Sequence, residues 1–135
     1  MRGFEGERGV RFVDGELVEV DTVIFCTGYE YDFPFLEGTG LVTAGDRQVH
    51  PLYKHLFHVV HPTLAFIGLP HSVVPFPLFE LQARLVAAAL LGGGATLPDR
   101  AGREKWAQEE AERRKRLGLR PRDAHYMGDE QVRWW

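Results

Sequence analysis

The sequence predicts an α/β fold, and three stretches carry that prediction. Leu64–Ala65–Phe66–Ile67 is a continuous apolar run ended by Gly68 and Pro70, which suits a strand buried on both faces of a parallel sheet. Val23–Ile24–Phe25 is a second such run, β-branched and aromatic, opened by Asp21 and ending at Thr27–Gly28. Between Leu78 and Leu91 the apolar residues Leu78, Leu81, Leu85, Ala88 and Ala89 fall on one helical stripe, with Gly92 placed to stop it. Pro75 and Pro77 argue against an earlier helical start, Pro77 being the expected first-turn residue. Strand, irregular loop and helix in that order make a ligand crevice at a strand's carboxyl end, facing a helix N-terminus.

The remaining elements follow in chain order. Val10–Val13, Asp14–Gly15 and Leu17–Val20 read as a β-hairpin, Asp-Gly being a favoured tight turn. Cys26 is expected to be a small buried filler in the following strand. Tyr31 to Leu36 reads as an extended, packed loop, and Gly38 to Asp46 as a turn-rich surface excursion. His50 to Phe57 reads as a semi-extended strip leading to Leu64. His55, His58 and His61 lie three apart, but without a cysteine or carboxylate cluster they read as scattered loop histidines rather than metal ligands. Glu80 is expected in the first turn of the helix, where a carboxylate suits the dipole. Arg84 is expected to tie that helix to neighbouring loops. Arg103 to Leu117 is charge-rich and reads as a solvated helix ended by Gly118. Trp134 and Trp135 close the chain and are expected to dock on a larger body or a partner.

Composition narrows the function. The chain has 135 residues, 44% hydrophobic and 26% charged, as expected for a folded domain rather than a disordered segment. Its net charge of −3 argues against a nucleic-acid surface, and Glu104, Glu109, Glu110 and Glu112 interleave with the basic run Arg113–Arg116. No apolar run is long enough to span a membrane and no signal pattern opens the chain, so the cytoplasm is the default. One cysteine excludes an internal disulfide. No G-x-G-x-x-G follows a strand, and Gly92–Gly93–Gly94 comes after a helix, where it serves as stop and linker.

Five motifs in one order carry a resemblance. They are Phe25–Cys26–Thr27–Gly28–Tyr29, Phe33–Pro34–Phe35–Leu36, Leu52–Tyr53–Lys54–His55, Pro62 to Leu69, and Glu80–Leu81–Gln82–Ala83–Arg84, and Leu97–Pro98 further matches the Leu-Pro that follows the family's helix. Together they resemble the C-terminal part of the flavin-containing monooxygenases, in particular the branch that oxygenates nitrogen and sulfur centres. Phe-x-Thr-Gly-Tyr and Glu-Leu-Gln-Ala-Arg look closer to that branch than to Baeyer–Villiger monooxygenases. Pro121 to Met127 resembles a segment near the family's end only in part, because Asp123 and Ala124 replace an aromatic and a hydroxyl residue, which leaves His125 without an assigned role.

The resemblance implies an incomplete C-terminal part of a Rossmann-like flavoprotein with two dinucleotide-binding domains. Residues 1–29 would end the NADPH-binding subdomain, 30–100 would form the C-terminal part of the FAD-binding domain, and 101–135 a charged helix and tail. Both nucleotide fingerprints would lie in an N-terminal region upstream, which becomes the expected partner. The implied cofactors are FAD and NADPH, the other reactants a small-molecule substrate and O₂. In the resembled mechanism NADPH reduces the flavin, O₂ adds to give a C4a-hydroperoxyflavin, and one oxygen passes to a soft amine or sulfide. The resemblance assigns cofactor contact to Thr27, Gly28, Tyr29, Gly68, Phe76, Pro77, Phe79 and Gln82, with the helix N-terminus facing the flavin's pyrimidine edge. It implies no catalytic side chain here, since the cofactor carries the chemistry. A different class remains open, a catalytically silent remnant acting as a structural or interaction module. The chain alone is expected to fold poorly or associate, its strands lacking neighbours.

Overall fold

The computed structural model describes residues 1–134, so the expected docking of Trp135 and of the Trp134 side chain lies outside it. Helix and strand both occur, but the strands are short and antiparallel. Near the N-terminus, β1 (Gly3–Glu5), β2 (Gly9–Arg11) and β3 (Leu17–Glu19) form a three-stranded sheet in sequence order. The predicted hairpin is its second half: Arg11 pairs with Leu17, and Gly15 takes φ +93° in the turn, which glycine adopts without penalty. β4 (Thr43–Gly45) and β5 (Gln48–His50) form a two-stranded pair around Asp46 and Arg47, both at positive φ, which starts in the expected surface excursion 38–46 and runs past it. The expected strip 50–57 instead folds back on itself, because Lys54 and His55 both take positive φ. That turn pairs β6 (Leu52–Tyr53) with β7 (Phe57–His58).

Two strand expectations are corrected. Val23–Ile24–Phe25 forms no strand and is exposed, Ile24 at 80% and Phe25 at 65%. Cys26 is exposed with it rather than buried. A central strand exists only by the hydrogen bonds of its neighbours, and the described residues supply none there. Leu64–Ile67 likewise joins no parallel sheet. It meets β7 through a single antiparallel bridge between Phe57 and Ala65, burying Phe66 and exposing Ile67.

Among the described residues two α-helices follow, each starting three residues before its predicted position, and 3₁₀ turns at Pro121–Asp123 and Gly128–Trp134 lie beyond them. α1 (Pro75–Leu90) begins at Pro75 because the first helical N–H groups have no intrahelical partner, so prolines at 75 and 77 cost no hydrogen bond. It ends as predicted: Gly92 takes φ +71° and the Gly93 N–H returns to the Ala88 carbonyl at 2.8 Å. Glu80 therefore sits beyond the first turn and pairs with Arg84 one turn on at 2.7 Å, which also corrects the loop-tying role expected of Arg84. α2 (Arg100–Arg116) starts where the Asp99 carboxylate accepts the Gly102 N–H at 2.8 Å, an N-cap that brings the start forward from Arg103. It is not wholly solvated. Arg103 and Arg114 are buried, Arg103 donating to the Val59 carbonyl at 2.8 Å.

The core lies between these parts. Val49, Leu52, Phe66 and Leu69 pack together, with Tyr31, Phe33, Leu36, Val42 and Leu64 closing over them. The expected packed loop 31–36 thus holds, tightened into a 3₁₀ turn at Pro34–Leu36. Leu56, Phe57 and Leu78 are wholly buried alongside.

Candidate functional site

The loop between Phe66 and α1 is built by polar contacts as much as by packing. Gly68 takes φ +92°, and the Phe79 ring lies 3.7 Å from where a Cβ would stand. Its N–H donates to Gln82 Oε1 at 3.1 Å. That donor fixes the orientation of the Gln82 amide, because only the oxygen accepts. Gln82 Nε2 is then a buried donor with no partner, although the residue is fully buried. Leaving such a donor unpaired costs about 1–3 kcal/mol, so the site is poised for an acceptor. Tyr31 Oη holds the next residue, donating to the Leu69 carbonyl at 2.7 Å.

The start of α1 adds a second donor. Pro75 and Pro77 carry no N–H, and the Leu78 N–H is spent on the Val74 carbonyl at 3.4 Å. Among the described residues only the Phe76 N–H of that first turn meets no acceptor, and no side chain caps it. Phe76 itself is 86% exposed.

Of the eight sequence-predicted residues, the structure brings Gly68, Phe79 and Gln82 into contact, with Phe76 and Pro77 on the turn before Phe79. Thr27, Gly28 and Tyr29 lie instead on the exposed irregular segment, Tyr29 almost fully open. Gly28 takes φ +80° beside the Arg47 guanidinium. Among the described residues no hydrogen bond or ring contact joins these three to the Gly68–Gln82 corner.

A second polar cluster escaped sequence reasoning. His125 Nε2 accepts the Val49 N–H at 3.0 Å, so its Nδ1 carries the proton and faces His55 Nδ1 at 3.2 Å. With His125 donating, His55 Nδ1 accepts and its Nε2 lies 3.4 Å from the Arg114 guanidinium and 3.8 Å from Glu110 Oε1. Burial pushes both rings down to about 3, helped at His55 by Arg114 and Arg113 and at His125 by His55. Burial would raise Glu110, but hydrogen bonds and charge from Arg113 and Arg114 outweigh it and hold the carboxyl below its usual range. His58 is committed elsewhere, its Nε2 to the Leu41 carbonyl at 2.7 Å and its Nδ1 accepting the His61 N–H at 2.8 Å. Among the described residues no group of three or more His, Cys, Asp or Glu is placed to hold a metal.

The two regions differ in what they offer. A half-open cleft of about 570 Å³ runs between β5, β6 and α2, floored by His55, His125 and Arg114, and contains none of the eight predicted residues. Its buried polar groups are spent on one another. The smaller Gly68–Gln82 corner keeps donors without acceptors, and for that reason it is the better candidate for a cofactor.

The geometry defines a class of fold only: a mixed α/β unit with an amide-lined corner before a proline-started helix. Comparison makes the assignment specific. The FMO-like family, flavin-binding monooxygenase-like, matches residues 5–128, and the chain belongs to it. Flavin-containing monooxygenase FMO GS-OX-like 2 of Arabidopsis thaliana is 42% identical over 122 residues, covering 90% of this chain and 26% of the relative. FMO GS-OX-like 7 of the same plant is 55% identical over 84 residues, 62% of this chain and 18% of the relative. The solved S-allyl-L-cysteine S-oxygenase of Allium sativum superposes with a TM-score of 0.84 at 38% identity, over 98% of this chain and 30% of that one. The chain thus spans about a quarter of the GS-OX-like 2 relative's length. Among the described residues no helix is long and apolar enough to cross a membrane.

Proposed function

We propose that this chain is the C-terminal portion of an FAD- and NADPH-dependent monooxygenase that oxygenates soft nitrogen or sulfur centres of small molecules. The observation that carries the reading is the buried, unpartnered Nε2 of Gln82 beside Gly68, within the family's Glu-Leu-Gln-Ala-Arg motif. Residues 1–29 would close the NADPH-binding subdomain of a Rossmann-like fold, 30–100 would complete the FAD-binding domain, and 101–135 would brace it. The upstream nucleotide-binding region is the expected partner, and the cytoplasm the expected compartment. When bound, the flavin supplies the activation of O₂ and the transfer of one oxygen atom to the substrate.

This chain's contribution is binding and orientation. Gln82 Nε2 and the Phe76 N–H would donate to an acceptor-bearing edge of the flavin, and the positive end of α1 favours negative charge gathering there. Gly68 leaves room for close approach, with Phe79 walling that space. Pro75 and Pro77 stiffen the first turn of α1 around the Phe76 N–H. Thr27, Gly28 and Tyr29 would face the nicotinamide nucleotide from the crossing segment. The family resemblance of the S-oxygenase from garlic supports sulfur as the substrate centre.

The test is a flavin absorbance spectrum of the purified chain, alone and extended by the coding region upstream of it. The longer product should be yellow and consume NADPH, and the short one should be colourless. If neither binds flavin, the reading fails and the silent interaction module replaces it. If the short chain alone is yellow, the cofactor does not need the upstream region.

A further inference from the structure

The loop that carries the candidate flavin corner is held from outside by the C-terminal tail. The His71 N–H donates to the His125 carbonyl at 3.0 Å, and the Met127 N–H returns to the His71 carbonyl at 3.2 Å, making a parallel bridge centred on Tyr126. Three residues on, the Val74 N–H donates to Gln131 Oε1 at 2.6 Å. Val74 is the N-cap of α1 and receives no side-chain cap of its own, so Gln131 is the last fixed point before the helix begins. The segment needs such fixing, since Ser72 sits at φ +57°, a conformation costly for a residue with a Cβ.

The tail is in turn anchored to α2. Arg113 grips Glu130 through two bonds at 2.8 and 2.7 Å, next to Gln131 in sequence. The buried Arg114 donates to the Asp123 and Tyr126 carbonyls at 3.1 and 3.0 Å. Two adjacent arginines of one helix therefore hold both ends of residues 123–130, and residues 125–131 hold His71 and Val74.

We propose that residues 125–131 form a strap that sets the geometry of the 68–76 loop, with Gln131 as a positioning residue for the flavin-facing end of α1. The flavin part rests on the reading given above; the strap itself does not. Gln131 touches no cofactor in this scheme. It acts through Val74, whose position fixes where the Phe76 N–H points.

The experiment compares wild type, Gln131→Ala and Gln131→Glu in the upstream-extended protein, reading amide hydrogen exchange at residues 71–74 and flavin affinity by fluorescence titration. Loss of one such bond should speed exchange at Val74 about ten-fold while exchange in β2 and α2 stays unchanged. Flavin affinity should fall about three- to ten-fold in the alanine variant and recover in the glutamate variant, whose carboxylate still accepts from Val74. Unchanged exchange at 71–74, or acceleration spread through the whole protein, would overturn the strap. Local acceleration with unaltered flavin affinity would overturn its positioning role. A wild-type protein that binds no flavin would sink the proposed function, while the exchange data would still decide the strap.

Discussion

Two apolar runs of nearly the same character end in opposite environments. Leu64–Ala65–Phe66 lies against the core, with Phe66 buried, while Val23–Ile24–Phe25 is open to solvent along its length. The difference is in neighbours, not composition. Phe66 has the loop 31–36 above it, its ring 5.0 Å from Phe33, and its N–H reaches the Leu56 carbonyl at 2.8 Å. Among the described residues the Phe25 ring meets one other, edge-on, that of Phe4, itself exposed. A hydrophobic strand signal reports what a segment would bury, and a partner decides whether it does.

The largest test of this contrast is in the packed half. Phe57 is wholly buried, and Phe57→Ala removes a ring whose loss costs about 3–5 kcal/mol. The expected outcome is a chain unfolded, or nearly so, in a denaturant titration by circular dichroism. A loss below about 1 kcal/mol would show that the region collapses around the gap and is not the tight core described.

The next effect concerns charge inside that half. Arg114→Met keeps the apolar stem but leaves the Asp123 and Tyr126 carbonyls without their donor and Glu110 with Arg113 alone. Because Arg113 still serves Glu110, the cost should be about 2–3 kcal/mol rather than the full value of an abandoned charge. A variant as stable as wild type would mean that the tail does not depend on α2.

The histidine pair gives a pH signature. Both rings are neutral in the fold and resist protonation until about pH 3, whereas the unfolded chain takes up protons near 6.5. Between these values the unfolded state binds more protons, so stability is full above about pH 6.5 and falls as pH drops, levelling off below about 3. One such histidine implies a loss of about 2 kcal/mol between pH 7 and pH 5, at about 1.4 kcal/mol per unit. Denaturation midpoints at those two pH values measure it. His125→Gln keeps an acceptor for the Val49 N–H and should flatten the profile; an unchanged slope would mean that other groups carry it.

Legibility followed locality. Gly92 after an apolar stripe, Asp14–Gly15 between two short runs and Gly118 after a charged stretch were readable because each signal acts within one turn of chain. The starts of both helices were misplaced for a related reason. Pro75 looks like a barrier, though a first-turn proline forfeits no bond, and Asp99, which caps α2, stands four residues ahead of the charge-rich stretch that marks the helix in sequence. At the candidate site, the family motif pointed to Gln82 and Gly68, which do meet. The His55–His125 pair spans 70 positions, and no local pattern announces it. Arg103 and Arg114 hid among charges because a long side chain on a polar-looking face can still bury its head against carbonyls.

The smallest effect is the sharpest test of why the two runs differ. Phe25 is 65% exposed here, so Phe25→Ser in the isolated chain should change stability by less than about 0.5 kcal/mol, as exposed positions do. The same substitution in the upstream-extended protein should cost about 1.5–3 kcal/mol, the range for burying such a side chain. In the isolated chain it should also reduce self-association, read by sedimentation at increasing concentration, since Ile24, Phe25 and Tyr29 are left uncovered together. Equal small effects in both forms would mean that the run never becomes a strand, and that the exposed half owes its openness to its own sequence. Unequal effects would mean that residues 21–29 are a strand waiting for its sheet, and that the contrast with Leu64–Phe66 is one of company alone.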